Sequence, residues 1–142
     1  GGTGSFGEAM TRKLINLKVK EIRIFSRDDK KQDDMRKSFN NAKLKFHLGD
    51  IRDEKNVMAA FKNIDYVIHL AALIGIPYSY QAAKSYIDTN ITGTYNILNA
   101  AKINGGASLR ASCTISKVTP QTIVVITIAR IASKCFLFNL IS

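Results

Sequence analysis

The residues whose types and spacing most clearly suggest chemistry are three glycines at the start of the chain. They occupy positions 1, 4 and 7 in the stretch GGTGSFG, directly before apolar residues at helical spacing. This spacing allows a tight turn, a close approach of backbone N–H groups to a phosphate, and close packing of the following helix. Since a helix N-terminus also favours negative charge, the stretch predicts a loop that cradles the pyrophosphate of a dinucleotide.

The segments after the glycines alternate between helical and strand patterns. Such strict alternation predicts an α/β fold, a Rossmann-like doubly wound parallel sheet. A loop is expected at residues 77–80, and the long last helix carries Ile87, Ile91, Tyr95 and Leu98 on one face. The predicted elements are helices at residues 8–17, 30–39, 54–61 and 85–104, and strands at residues 21–25, 43–48 and 65–70.

The end of the first of these strands is where such a domain selects its cofactor. An acidic residue there binds the ribose of NAD, whereas an arginine accommodates the 2′-phosphate of NADP. Ser26 and Arg27 come first and Lys31 follows one helical turn later, which favours NADP. An equally good alternative is that these residues only begin a helix, with Asp28 or Asp29 as its N-cap.

The next two strand ends supply further candidates. Asp50 and Ile51 lie where the loop after the third strand of this fold passes the adenine, and Asp53 is expected to cap the next helix. The small residues Ala71 and Ala72 either border the nicotinamide or serve packing alone. His69 has no Cys, His or carboxylate at ligand spacing, so we interpret it as a core or strand-end histidine.

Composition narrows the class of protein. The 142 residues fit one domain and are 46% hydrophobic and 23% charged, as in ordinary soluble proteins. The net charge of +10 is scattered, which argues against nucleic-acid recognition. Cys113 and Cys135 stand far apart, which indicates a reduced, cytoplasmic chain with no metal site. Arg130 and Lys134 interrupt the apolar stretch near the C-terminus, so no membrane span is predicted.

Three stretches carry a family resemblance: GGTGSFGE, IFSRDDKKQDDMRKSF and FHLGDIRDE. Together with YIDTNITGTYN they resemble the extended short-chain dehydrogenase/reductase family, in particular its nucleotide-sugar epimerases and UDP-N-acetylglucosamine 4,6-dehydratases. The resemblance covers residues 1 to about 105. It implies a cytoplasmic enzyme of polysaccharide biosynthesis that binds NADP, or alternatively NAD, acts on a UDP-sugar and forms a homo-oligomer. The cofactor-binding residues that it implies are Gly1, Thr3, Gly4, Ser5, Phe6, Gly7, Ser26, Arg27, Asp28, Lys31, Asp50, Ile51, Leu70, Ala71 and Ala72.

The chain departs from the family pattern at the residues that perform the reaction. Ile74 stands where such dehydratases carry a lysine, which leaves dehydratase and epimerase both open. In the family, the catalytic tyrosine and lysine form a YxxxK motif after the next strand. The one YxxxK of this sequence, Tyr80 to Lys84, lies before the long helix instead, so we interpret it as a chance match. No catalytic residue is therefore predicted, and Asn90 has at most a supporting role. A non-catalytic dinucleotide-binding module is the third alternative.

The expected organisation is a partial Rossmann-like domain at residues 1–106 and a divergent tail at residues 107–142, either frame-shifted or containing late strands. Because the chain begins on the first glycine, we expect the preceding strand to be absent, and because the family pattern is lost in the tail, we expect the C-terminal substrate domain to be absent as well. That strand would lie between the strands at residues 21–25 and 65–70. The β-branched segment at residues 122–128 is the best candidate to fill the gap, although it could instead extend the sheet as a later strand.

Overall fold

A computed structural model describes residues 2–73, 75–104, 108–109 and 122–127. Their elements follow the predicted alternation, and the α/β fold with a parallel sheet is confirmed. The strands are β1 (Glu21–Ser26), β2 (Leu44–Leu48), β3 (Tyr66–Leu70), β4 (Ser108–Leu109) and β5 (Thr122–Thr127). The helices are α1 (Ser5–Ile15), α2 (Asp29–Phe39), α3 (Glu54–Ala60), α4 (Ile76–Gln81), α5 (Ala83–Ile87) and α6 (Gly93–Ile103), with a π-helical segment at Asp88–Thr92 between the last two.

The sheet is sandwiched between two hydrophobic clusters, because successive residues of a strand point to opposite faces. On one face, Ile22 and Ile24 of β1 and Ile68 of β3 pack with Met10 and Leu14 of α1. On the other face, a second cluster combines apolar residues of β1, β3, α3 and α6, including Phe25, Phe61, Val67, Ile97 and Ala100. Helices on both faces make the sheet doubly wound.

The strand order is β2-β1-β5-β3-β4, and every pairing is parallel. Strand β5 therefore lies between β1 and β3, with Val124 opposite both Arg23 and Val67. In a doubly wound fold this position belongs to the strand that precedes the glycine-rich turn. The prediction that the segment around residues 122–128 fills the gap is thus confirmed, and its alternative, an extension beyond β3, is wrong.

Two predicted elements need correction. Residues 77–80 are not a loop but part of helix α4, since Pro77 lies in the first turn, where the missing N–H costs no hydrogen bond. The long helix begins at Ala83 and contains the π-helical segment. Its predicted apolar face is exposed, with Ile91 at 64% and Tyr95 at 62%; α6 instead buries the face that carries Gly93, Asn96, Ile97, Ala100 and Ala101.

Helix α6 ends at Ile103, one residue before the end of the helix predicted at residues 85–104, and the two glycines that follow, Gly105 and Gly106, lie outside the described residues. Within the described ranges, no helix is long and apolar enough to span a membrane. Among the same residues, no group of three or more His, Cys, Asp or Glu side chains could hold a metal ion.

Candidate cofactor-binding site

The predicted site residues meet at the carboxyl edge of the sheet, where β1, β2 and β3 end. The glycine-rich loop lies beside the end of β1, because the Thr3 hydroxyl donates to Ser26 Oγ at 3.4 Å. The ends of β1 and β2 are joined by a bond of 3.0 Å from Gly49 N to Ser26 O. Ligands of open parallel sheets bind at this edge, so the fold brings the candidates together where a ligand is expected.

The glycine-rich loop is held by a close backbone contact at its third glycine. A Cβ on Gly7 would lie 2.3 Å from the carbonyl oxygen of Gly2, and a backbone atom cannot move aside as a flexible side chain can. Helix α1 starts directly after Gly4, and no side chain caps its first turn. The N–H groups of that turn thus have no side-chain cap that would compete with a phosphate.

A groove of about 630 Å³ runs from this loop to the start of α2. Six of the predicted cofactor-binding residues line it, and Asp29 completes the lining. These six are Thr3, Gly4, Ser26, Arg27, Asp28 and Lys31. The grouping predicted for the ribose and its 2′-phosphate therefore shares one surface with the loop predicted for the pyrophosphate.

The alternative prediction for these residues, that they begin a helix with Asp28 or Asp29 as its N-cap, is also confirmed. Asp28 is the N-cap of α2 and accepts a bond of 3.0 Å from Lys31 N. This backbone bond, together with the nearby charge of the Lys31 ammonium, lowers the pKa of Asp28. Because Asp28 is occupied as a cap, the cations Arg27 and Lys31, both more than half exposed, are the groups that could meet an anion.

A second, smaller cavity of about 90 Å³ adjoins the groove through Ser26 and Arg27. It is lined by four of the five strand-end residues predicted for adenine and nicotinamide contacts, namely Asp50, Ile51, Ala71 and Ala72. Gly93 allows α6 to lie against Ile51, because a Cβ there would come within 2.6 Å of the Ile51 side chain. Asn96 fixes the same residue by donating to Ile51 O at 2.9 Å.

Asp50 is held by two arginines at the mouth of this cavity. Arg52 Nη2 lies 2.6 Å from Asp50 Oδ2, and Arg27 Nη1 lies 3.5 Å from the same oxygen. Partial burial opposes ionisation of Asp50, but the bonds from Arg52 and the charges of both arginines outweigh it and lower the pKa of the carboxyl group. Asp50 is therefore an ionised acceptor at the cavity edge.

Thr89 is a cavity residue that residue types and spacing did not indicate. It is buried at 7% exposure, lines the smaller cavity and has a hydroxyl with no hydrogen-bond partner among the described residues. A buried polar atom without a partner indicates a ligand or water position. Thr89 lies in the π-helical segment, a feature that frequently marks functional sites, but one that residue types alone do not reveal.

Asn90 does not line either cavity but fixes the loop after β3. Its Oδ1 accepts from Leu73 N, and its Nδ2 donates to Leu73 O, both at 2.9 Å. This pair of bonds resembles the pairing between two strands and holds Leu73, itself a cavity-lining residue, in place. The clamp is a structural role, and the supporting role of Asn90 in the reaction stays a prediction.

Four predicted cofactor-binding residues do not line the groove or the cavity. Ser5 and Phe6 are exposed on the first turn of α1, Gly7 packs against Gly2, and Leu70 packs against the hydrophobic cluster of α1 and β1. Gly1 and Ile74 lie outside the described residues. The lining residues without a prediction, besides Thr89, are Phe25, Asp29, Gly49 and Leu73.

His69 and the YxxxK pair lie apart from these cavities. His69 is largely buried, and its Nε2 lies 3.0 Å from the Thr94 hydroxyl. Burial lowers its pKa to about 4, so the ring is neutral near pH 7. Tyr80 is 84% exposed on α4, and Lys84 pairs with Asp88 at 2.7 Å, so neither residue contributes to the cavities.

Comparison with known proteins agrees with this geometry. A UDP-glucose 4-epimerase of Rickettsia bellii is 45% identical over 124 residues, which are 84% of this chain and 36% of the relative. A second such epimerase, from Rickettsia canadensis, is 44% identical over 128 residues and is matched over 38% of its length. The chain thus spans little more than a third of the length of the curated relatives that it matches.

Solved structures show the same fold. The X-ray structure of Pen from Bacillus thuringiensis superposes with a TM-score of 0.71 at 34% identity, over 73% of this chain and 33% of that one. The dTDP-glucose 4,6-dehydratase DesIV from Streptomyces venezuelae, solved with NAD and TYD bound, has a TM-score of 0.67 at 21% identity, over 84% and 44% of the two chains. The family model described as polysaccharide biosynthesis protein matches residues 1–136. The chain therefore belongs to the polysaccharide biosynthesis protein family, and its resemblance to the nucleotide-sugar dehydratases and epimerases of the extended short-chain dehydrogenase/reductase family is confirmed.

Proposed function

We propose that this chain binds NADP at the carboxyl edge of its sheet, as the cofactor-binding part of a nucleotide-sugar 4,6-dehydratase or 4-epimerase. The observation that carries the proposal is the single groove that joins Thr3 and Gly4 of the glycine-rich loop to Ser26, Arg27 and Lys31. Its loop end suits a pyrophosphate, and its two cations suit a phosphate on the ribose. When bound, the nicotinamide would accept and return the hydride of the sugar.

The cavity beside the groove supports the placement of the remaining cofactor. Ile51 offers an apolar surface and Asp50 an ionised acceptor for the edge of the adenine. The small side chains of Ala71 and Ala72 leave room for a ring against the backbone after β3. The Asn90 clamp on Leu73 keeps this backbone in one conformation.

Nucleotide titration of the purified chain tests the binding proposal. Isothermal titration should show NADP binding with higher affinity than NAD. Gly7→Ala should abolish binding, because its Cβ would force the loop away from Gly2. Gly75→Ala is the matched control, since its Cβ meets side-chain atoms of Tyr86 and Tyr78 only at 3.4 Å and beyond. Equal affinity of both glycine variants would contradict the proposal.

For the complete enzyme, we propose UDP-N-acetylglucosamine as the substrate of a 4,6-dehydratase, on the basis of the SRDDKKQ and GDIRDE stretches. The second candidate is a UDP-glucose 4-epimerase, which is favoured by the names of the relatives at 44–45% identity. An assay of the full-length gene product distinguishes them: a dehydratase yields a 4-keto-6-deoxy sugar, whereas an epimerase product keeps its C6 oxygen. A non-catalytic module would convert neither sugar.

We further propose that the complete enzyme is a homo-oligomer in the cytoplasm. The exposed apolar side chains of Ile87, Ile91, Tyr95 and Leu98 follow one face of the helix from α5 to α6. An apolar stripe of this kind is typical of an interface. Light scattering should show that the complete enzyme is a multimer, and Ile91→Asp should weaken the association of its subunits.

A further inference from the structure

The side chain of Gln32 is a buried polar group at the start of α2, and it ties together the ends of β1 and β2. It is only 2% exposed. Its Nε2 donates to Ser26 O at 3.1 Å and to His47 O at 2.9 Å. A buried amide of this kind is tolerated only when it is hydrogen-bonded, so its position is fixed by the two strand ends.

These two strand ends carry the two halves of the proposed site. Ser26 leads directly into Arg27 and the groove, while His47 lies three residues before Asp50 and the smaller cavity. Gln32 adds a buried cross-link at this edge to the ladder bond of 3.0 Å between Gly49 N and Ser26 O and the exposed ion pair between Arg27 and Asp50. A change at Gln32 should therefore shift Ser26 and Arg27 relative to Asp50.

Gln32 Nε2 also lies close to the Ser26 hydroxyl. Three donors converge on Ser26 Oγ, namely Gln32 Nε2 at 3.4 Å, Asp28 N at 3.3 Å and the Thr3 hydroxyl at 3.4 Å. A hydroxyl oxygen has two lone pairs and one hydrogen. When Gln32 Nε2 and Asp28 N occupy the two lone pairs, the Ser26 hydrogen can be donated to Thr3 Oγ1 or to a ligand oxygen in the groove that Ser26 lines.

We propose that Gln32 is a positioning residue that sets the preference for a ribose 2′-phosphate over a free 2′-hydroxyl. It holds Ser26 Oγ as a hydrogen-bond donor toward a phosphate oxygen and keeps the Arg27 backbone in register with Asp50. The inference rests on the proposed NADP site and assigns to it a residue that lines neither the groove nor the smaller cavity. Its effect is transmitted through the Ser26 hydroxyl and the end of β1.

The test compares two probes, adenosine 2′,5′-bisphosphate and 5′-AMP, which differ in the 2′-phosphate. Gln32→Leu in the full chain removes both carbonyl bonds and one donor to Ser26 at similar side-chain volume. We expect the ratio of the two affinities to fall about tenfold, equivalent to about 1.4 kcal/mol, mainly through weaker binding of the bisphosphate. Gln32→Asn keeps an amide but withdraws it from Ser26, because its side chain is shorter. It should give an intermediate ratio of the two affinities. This variant provides the test if Gln32→Leu does not fold.

Met35→Ala is the matched control for lost stability. Met35 is buried on the same helix, one turn further along, and contacts neither strand end through a polar atom. It should lower the melting temperature without changing the affinity ratio. An unchanged ratio in the Gln32 variants, or an equal change in Met35→Ala, would overturn the inference while the NADP site stands. Failure of the unmodified chain to bind either probe would overturn the proposed function as well.

Discussion

Arg27 Nη1 lies 3.5 Å from Asp50 Oδ2, so a cation at the end of β1 is paired with a carboxylate just beyond the end of β2. The Arg27 side chain is 57% exposed, and exposed ion pairs of this kind contribute little to stability. Asp50 has a second and shorter partner in Arg52 at 2.6 Å. Arg27 can therefore turn to a phosphate in the groove without leaving Asp50 unpaired.

Arg27→Ala should weaken NADP binding selectively. The lost bond to a charged phosphate corresponds to about 1.5–3 kcal/mol, whereas NAD binding should change little. Isothermal titration with both cofactors measures this difference. Lys30→Ala removes the same charge at an exposed position of α2 that does not line the groove, and it should leave both affinities nearly unchanged. If NAD binds as tightly as NADP and Arg27→Ala alters neither, the preference for NADP is wrong.

Asn90→Leu should destabilise the protein and weaken cofactor binding. It leaves the part-buried N–H and C=O of Leu73 without their partners at 2.9 Å, and the loss of each bond should cost about 0.5–1.5 kcal/mol. Urea unfolding followed by circular dichroism gives the free energy of unfolding, and titration gives the affinity.

The matched control for Asn90 is Asn99→Ala. Asn99 lies on α6 and donates to Glu54 Oε1 at 3.1 Å on the surface, so its loss should cost no more than about 0.5 kcal/mol. An Asn90 variant as stable as this control would show that the clamp does not hold the loop.

The sequence allowed the sheet, the caps and most of the groove to be predicted, because these depend on local patterns. Asp28 and Asp53 precede helical spacing, and both accept bonds from backbone N–H groups of their first turns. The position of β5 was one of two that the sequence left open, and it was favoured by a non-local argument, namely that β1 and β3 each need a partner in a buried parallel sheet.

The residues that were missed depend on tertiary contacts. Gln32 lies in the charged run DKKQDD, which suggests an exposed helix, yet two strand ends enclose it. Thr89 enters the cavity on a π-helical turn that no residue type specifies. The exposed stripe of Ile91 and Tyr95 resembles a buried face in sequence, because helical periodicity does not say which apolar face meets the sheet.

His69 should make the fold less stable as the pH falls from about 6.5 to about 4. Burial lowers its pKa in the folded chain to about 4, whereas an exposed histidine titrates near 6.5. The unfolded chain therefore binds the proton first, and stability that is complete above pH 6.5 is lost progressively below it. His69→Gln removes this contribution while keeping a polar side chain beside Thr94.

Unfolding by urea at pH 7 and pH 5 provides the measurement. Between pH 7 and pH 5, the free energy of unfolding of the unmodified chain should fall by about 2 kcal/mol more than that of the His69→Gln variant. His47 also has a pKa lowered by burial, but it is present in both proteins and cancels in the comparison. Equal losses would mean that the buried imidazole is not neutral in the fold.

Val124→Pro should destabilise the sheet strongly, because β5 is its central strand. Residue 124 is opposite Arg23 of β1 and Val67 of β3, and proline there removes an N–H from the ladder and introduces a ring between two paired strands. We expect a cost of about 3 kcal/mol or more in the free energy of unfolding.

Thr122→Pro is the matched control at the start of the same strand. Thr122 is opposite Glu21 alone, whereas pairing with β3 begins at Ile123, and proline is tolerated at the first residue of a strand. Thermal unfolding of the two variants in parallel decides the point. A melting temperature lowered in Val124→Pro but preserved in Thr122→Pro would establish β5 as the strand that joins β1 to β3. Two unchanged melting temperatures would instead mean that the stability of the folded chain does not depend on the β5 pairing.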